Sequence, residues 1–119
     1  MEWQVEFHDD FDSEFDALPQ EVKNELLATA QVLEMFGPQA KRPHVDPLKG
    51  SKYPNMKELR LSAFGGVWRV AFAFDPLRQA ILLVAGDKSG ISQKLFYKHL
   101  IQKADARYKG HLEKLKQEG

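Results

Sequence analysis

The sequence predicts an α+β domain that combines an antiparallel meander of three strands with helices. Residues 56–85 show the two-residue hydrophobic period of strands, interrupted by short turn signals. Residues 19–36 and 92–115 instead repeat apolar side chains at helical spacing. The chain has 119 residues, of which 43% are hydrophobic, and this is enough for one buried core. We therefore expect residues 1–119 to form a single domain, ordered strand, two helices, three-strand meander and helix.

The N-terminal part predicts one strand and two helices. Residues 3–7 alternate apolar and polar side chains, which is typical of a half-buried strand. Asp12 and Ser13 offer side chains that can cap a short helix. Pro19 suits the start of a longer helix, because its missing N–H would have no partner there anyway. Gly37, which is followed by another proline, ends that helix.

The middle of the chain predicts a long loop and then the meander. Residues 38–55 are rich in Pro and Gly and predict an ordered loop, a feature that is often functional at this length. Residues 56–64 and 67–74 predict two strands joined by the turn Gly65-Gly66. Residues 79–85 form a continuous apolar run, as in a central buried strand.

Ser92 can cap the final helix, which ends the predicted order of elements. Each apolar helix stripe needs an apolar sheet face to cover it. We therefore expect the helices to pack together on one face of the sheet and to leave the other face uncovered.

The net charge is zero, but it is unevenly distributed. Residues 1–40 contain one basic and ten acidic residues, and the remaining residues carry a net charge of +9. Such asymmetry indicates a polyanion-binding face. The alternative is a solvated helix surface whose acids pair with bases elsewhere in the fold.

Composition excludes several classes of protein. The chain has no cysteine, which excludes disulfides, thiolate metal sites and a cysteine nucleophile. The longest apolar run, residues 80–85, is far shorter than the roughly 20 residues of a membrane helix. The N-terminus is acidic where a secretory signal would be basic, so we expect a cytoplasmic protein without a membrane partner. The four histidines lack ligand spacing, and we expect neither a metal nor a cofactor.

Two arginines are the central candidates for function. With Gly65-Gly66 as the turn, Arg60 opposes Ala71, and Arg60 and Arg69 become diagonal neighbours on the uncovered face. Glu58 lies one step away on the same face. One guanidinium group can bind two phosphate oxygens at once. The two arginines therefore predict a shallow basic depression that binds a phosphate. The alternative is an ordinary charged sheet face on which Glu58 neutralises one arginine.

Further candidates surround this pair. Four lysines flank the strands and are candidates for its rim: Lys49, Lys52, Lys57 and Lys88. His44 is a candidate proton carrier in the long loop. Tyr97, with Lys94 and Lys98 beside it, is a candidate for stacking on a base, although plain solvent exposure is the simpler interpretation.

Several short motifs carry a family resemblance that spans nearly the whole chain. Residues 46–50 (DPLKG), 57–61 (KELRL) and 67–72 (VWRVAF) resemble the RelE/ParE superfamily of toxins from type II toxin–antitoxin systems. Residues 80–90 (AILLVAGDKSG), followed by residues 93–98 (QKLFYK), are similar to its HigB-like, phage-related branch. The order of elements predicted above is also that of a RelE-like fold.

The resemblance implies a ribosome-dependent mRNA endoribonuclease that a helix-turn-helix antitoxin neutralises. The reaction in that family is attack of a ribose 2′-OH on the adjacent phosphate, and it needs no metal. Arg60 and Arg69 fall on the family's strand arginines, which implies that they stabilise the phosphate. Glu58 is then a candidate base or orienting group. Three lysines become candidates for substrate binding or proton transfer: Lys49, Lys57 and Lys88.

Two other functions remain open. In the ParE branch of the superfamily, the same fold resembles that of gyrase inhibitors, which cut no RNA. A third possibility is a module that binds nucleic acid or a protein partner without catalysis. The carboxylate of Glu58 beside the arginines favours the nuclease, because a gyrase inhibitor does not need it.

Overall fold

The computed structural model describes residues 3–118 and has the predicted order of elements. Its strands form one five-stranded sheet in the order β1-β5-β4-β3-β2. A single 3₁₀ turn, Gly37–Gln39, follows the second helix. The elements are β1 (Gln4–Phe7), α1 (Asp9–Asp16), α2 (Gln20–Phe36), β2 (Val45–Pro47), β3 (Met56–Ala63), β4 (Gly66–Phe74), β5 (Gln79–Asp87) and α3 (Gln93–Glu118).

The sheet is mixed, with the predicted meander at its centre. Strands β3, β4 and β5 are antiparallel neighbours, which confirms the three-strand prediction. Strand β1 adds to β5 in parallel, with Val5 opposite Ala80. Strand β2 lies inside the segment predicted as a loop and pairs with β3, placing Asp46 opposite Glu58. Its three residues are too short to give a visible alternation.

Helices cover both faces of the sheet, so the expectation of one uncovered face is wrong. Helices α1 and α2 bury Phe11, Leu26 and Leu33 against one face. Helix α3 crosses the other face and packs on a strip of small and aliphatic side chains, among them Ala71 and Ala73. These small side chains let the helix approach the sheet closely.

The turn between β3 and β4 lies one residue earlier than predicted. Phe64 and Gly65 form it with φ angles of 52° and 73°, and Ala63 pairs with Gly66. Gly66 belongs to β4 because it pairs with Ala63. The position favours glycine because a Cβ there would lie 2.6 Å from Oδ2 of Asp87. The shift places Arg60 directly opposite Arg69 instead of diagonally. Both arginines still start from the same side of the hairpin, because the shift changes each partner by two residues.

The predicted cap of the first helix is wrong. Helix α1 begins at Asp9, so Asp12 and Ser13 lie inside it. Its N-cap is His8, whose Nδ1 accepts from the N–H of Asp10 at 3.0 Å.

The other helix boundaries follow the predicted signals. Pro19 is the N-cap of α2, and Gly37 ends that helix with a φ of 55°. The N–H of Leu95 donates to Oγ of Ser92, which confirms the cap of the last helix. Within residues 3–118, no helix combines the length and the apolar character needed to cross a membrane.

Two polar contacts fix α3 on the sheet. The Arg107 guanidinium donates to both carboxylate oxygens of Glu14 and to the carbonyl of Leu83 at 2.7 Å. Nearer the C-terminus, Nε2 of His111 lies 2.8 Å from Oδ2 of the buried Asp75. These contacts, together with the apolar packing, position the N-terminal turns of α3 over the arginines.

Candidate functional site

The β3–β4 hairpin and α3 bring four polar side chains together, which we call the Glu58 cluster: Glu58, Arg60, Arg69 and Tyr97. Glu58 and Arg60 are two residues apart on β3 and therefore share a side of the sheet. Nη1 of Arg60 donates to Oε2 of Glu58 at 2.9 Å. The Tyr97 hydroxyl donates to Oε1 of Glu58 at 2.8 Å. Nε of Arg69 lies 3.9 Å from the same Oε1 atom.

The cluster is largely buried, which corrects the expectation that both arginines stand on an uncovered face. Glu58 is 4% exposed and Arg69 is 6% exposed, whereas the Arg60 side chain keeps 22% of its surface. Arg69 donates through Nη1 to the neighbouring carbonyl of Trp68. Its buried Nε has no hydrogen-bond partner among residues 3–118. Arg60 is thus the arginine that reaches solvent, whereas Arg69 is buried.

A cavity of about 480 Å³, which we call the basic cleft, opens beside the cluster. Five of the predicted site residues line it, namely Lys49, Glu58, Arg60, Lys88 and Tyr97. Sequence reasoning missed three further polar residues of the lining, namely Arg42, Asp46 and Gln93. Asp46 lies on β2, and the pairing of β2 with β3 brings it to the cleft. Arg42 lies beside it as its ion-pair partner, so only that pairing could have revealed these two residues. Four cationic residues and two carboxylates line the cleft, and each carboxylate is paired with an arginine.

The environment of the cleft shifts the pKa of Lys88 and of Tyr97. Burial, followed by the charges of Arg69 and Arg60, lowers the pKa of the Lys88 ammonium. Burial also raises the pKa of the Tyr97 phenol, and the hydrogen bond to Glu58 raises it further. Nζ of Lys88 lies 5.8 Å from the centre of the Tyr97 ring. Tyr97 is therefore a neutral hydrogen-bond donor at neutral pH, and Lys88 releases its proton more easily than an ordinary lysine does.

His44 lies next to the arginines but outside the basic cleft. It lines a second cavity of about 380 Å³ with Arg60, Ser62 and Arg69, beside the edge of β3 that β2 leaves unpaired. Its carbonyl accepts from the N–H of Arg60 at 2.8 Å. Across the described chain, no group of three or more His, Cys, Asp or Glu side chains is placed to hold a metal ion.

The structure places the remaining predicted lysines away from the cleft. Lys57 lines a different cavity, because strand alternation puts it on the other side of β3 from Glu58. The backbone N–H of Lys52 donates to Asp105 of α3. Lys94 and Lys98 are exposed on α3 and do not line the cleft. Their roles in RNA binding stay predictions.

The fold defines a class of small α+β proteins. The structure of E. coli toxin RelE, solved as a mutant in the free state, superimposes with a TM-score of 0.64. The match covers 90% of this chain and 98% of that one, at 14% sequence identity. The fold is therefore RelE-like, as predicted.

Sequence comparisons then identify the family. Residues 13–109 match the family described as Phage derived protein Gp49-like. "Putative toxin HigB3" of Mycobacterium tuberculosis is 45% identical over 93 residues, which cover 78% of this chain and 79% of that protein. "Putative toxin HigB2" of the same organism is 43% identical over 96 residues, 80% of this chain and 47% of that protein. The chain belongs to the Gp49-like family of HigB/RelE-type toxins, which confirms the resemblance and implies an antitoxin partner.

Proposed function

We propose that this toxin is an mRNA endoribonuclease that acts on the ribosome and cuts by acid–base chemistry within the basic cleft. The observation that supports it is the Glu58 cluster, in which a carboxylate, the Arg60 guanidinium and a phenol line the basic cleft, while the buried Arg69 guanidinium lies 3.9 Å from the carboxylate. RNA supplies the polyanion that the net charge of +9 over residues 41–119 would attract. The antitoxin is expected to carry a helix-turn-helix DNA-binding domain.

The proposed reaction is an internal transfer at phosphorus. The ribose 2′-oxygen forms a bond to the adjacent phosphorus, and the bond from phosphorus to the 5′-oxygen of the next nucleotide breaks. The products are a 2′,3′-cyclic phosphate and a 5′-OH end. Negative charge grows on the phosphate oxygens in the transition state, where preorganised cations are most effective. Arg60, which lines the cleft, would stabilise this charge by direct contact. Arg69, which is buried beside Glu58, would stabilise it from a longer distance.

Two protons must move during this transfer. The 2′-OH loses one, and the leaving 5′-oxygen gains one. Glu58 is the candidate acceptor, because it is the carboxylate beside both arginines. Lys88 is the candidate donor, because burial and the neighbouring arginines lower its pKa. Tyr97 orients the carboxylate through its hydrogen bond.

Arginine substitution tests the proposal. Arg60→Ala removes the exposed guanidinium, and we expect cleavage to fall by about 10²–10³-fold, as when one transition-state donor is lost. Arg78→Ala is the matched control, because Arg78 lies in the β4–β5 turn and stacks on Trp3, away from the cleft. The measurement is growth arrest on expression, together with mapping of new 5′ ends on transcripts.

Three results would contradict the proposal. Cleavage that persists in Arg60→Ala at the wild-type rate would exclude this site. DNA damage without new 5′ ends would favour gyrase inhibition instead. Binding to RNA that does not weaken as salt rises would favour the third alternative, a module without catalysis, because phosphate contacts are strongly salt-dependent.

A further inference from the structure

The Glu58 carboxylate lies within salt-bridge distance of both the Arg60 and the Arg69 guanidinium. Its two oxygens accept separately, one from Arg60 and the other from Tyr97. A phosphodiester also offers two non-bridging oxygens, and guanidinium forks fit carboxylates and phosphates alike. The donors that now bind the carboxylate are therefore those that a phosphate would need.

The cluster has more positive charge than Glu58 can neutralise. Arg60 and Arg69 are direct cross-strand partners, an arrangement that is unfavourable for like charges. Lys88 lies close enough for both arginines to lower its pKa. Two guanidiniums therefore lie within salt-bridge distance of one carboxylate, and Lys88 lines the same cleft as a third cation. The buried Nε of Arg69 still lacks a hydrogen bond within residues 3–118. An unsatisfied buried donor of this kind costs free energy and needs an explanation.

Stability does not supply that explanation. Buried ion pairs often contribute little to folding, because the loss of hydration offsets the attraction. A hydrophobic pair on β3 and β4 would pack on α3 without that cost. The retained charges are better explained by an anion that arrives from outside and adds the negative charge that the cluster lacks.

We propose that Glu58 is an internal substitute for phosphate, which holds the two arginines in place until a phosphate group enters and displaces it. The inference rests on the proposed function for its natural ligand, the scissile phosphodiester. Displacement also frees the carboxylate from Arg60, so that it is available as a proton acceptor only when substrate is bound. Glu58 is thus a positioning residue before binding.

Competition for inorganic phosphate tests this idea without RNA. Glu58→Gln keeps the size of the side chain and its bond with Tyr97 but removes the charge that competes with phosphate. We expect it to bind phosphate at least about tenfold more tightly than the wild type at low ionic strength, because a charge-assisted hydrogen bond no longer has to be broken. Titration calorimetry gives the affinity, and the rise in melting temperature with phosphate gives an independent value.

Asp46→Asn is the matched control. It lines the same cleft, changes the net charge by the same amount and frees Arg42, but that guanidinium is exposed and already solvated. We expect less than about a twofold change in phosphate affinity. If Glu58→Gln binds phosphate no more tightly than Asp46→Asn does, the inference is wrong.

A second measurement covers the case in which Glu58→Gln does not fold. Phosphate added to wild-type protein with ¹³C-labelled glutamate carboxyls must shift the Glu58 signal, which Glu58→Asp assigns by its disappearance. An unmoved signal at saturating phosphate would overturn the inference. Tight phosphate binding by Glu58→Gln, combined with no RNA cleavage by the wild type, would leave the inference standing and exclude the nuclease.

Discussion

The turn at Phe64 gives the sharpest stability prediction. Phe64 has a φ of 52°, a left-handed conformation that costs an ordinary residue about 1–2 kcal/mol. Phe64 is 69% exposed, so packing of its side chain offsets little of this conformational free energy. Asn tolerates this conformation, and Asn-Gly is the favoured sequence of such two-residue hairpin turns. Phe64→Asn should therefore stabilise the protein by about 1 kcal/mol.

Urea and thermal unfolding measure this gain. For a chain of this length, about 1 kcal/mol corresponds to a rise of roughly 3–6 °C in melting temperature. Phe64→Ala is the matched control, because it removes the same ring but keeps a side chain that is strained at positive φ. The difference between the two variants isolates the backbone contribution from any loss of contacts.

Equal stability of the two variants would refute the reasoning. It would mean that the backbone strain contributes nothing measurable, or that the turn rearranges when the ring is lost. A fall in stability in Phe64→Asn alone would show that the exposed ring makes contacts worth more than the strain.

Three further predictions concern other parts of the molecule. Glu14→Gln should destabilise by at most about 1 kcal/mol at neutral pH, because its side chain is 41% exposed and screened by solvent. Since the hydrogen bond from Arg107 lowers the pKa of Glu14, that difference should persist above the ordinary pKa range of a glutamate and vanish in urea unfolding as pH falls through the lowered pKa; a constant difference would contradict it. Leu82→Ala should cost about 2–5 kcal/mol, because Leu82 is fully buried, and a loss under 1 kcal/mol would show that the core collapses around it. Tyr97→Phe should keep the fold but slow RNA cleavage about tenfold or more, and an unchanged rate would show that Glu58 needs no orientation.

The sequence predicts the elements well because their signals are local. The alternation in residues 56–85 and the cap at Ser92 need only neighbouring residues to be recognised. The turn position failed for a non-local reason. Gly65-Gly66 looks like a turn, but Gly66 is required in the strand by the close approach of Asp87, which is far away along the chain.

The candidate site was predicted in part. Strand alternation alone places Glu58, Arg60 and Arg69 on one side of the hairpin, and the structure brings them together. Burial of Arg69 could not be predicted, because it depends on which face α3 covers. Arg42 lines the cleft beside its ion-pair partner Asp46 on β2, a strand of three residues that leaves no periodic signal.

The last helix connects the site to a distant turn of the sheet. Tyr97 and His111 are separated by about 21 Å along one continuous helix, at 1.5 Å per residue. A lengthwise slide of this helix would have to break the contact with Asp75, the Arg107 contacts and the phenol's hydrogen bond in a single step. The position of the Tyr97 hydroxyl against Glu58 therefore depends on the contact between His111 and Asp75 as well as on the residues of the cleft.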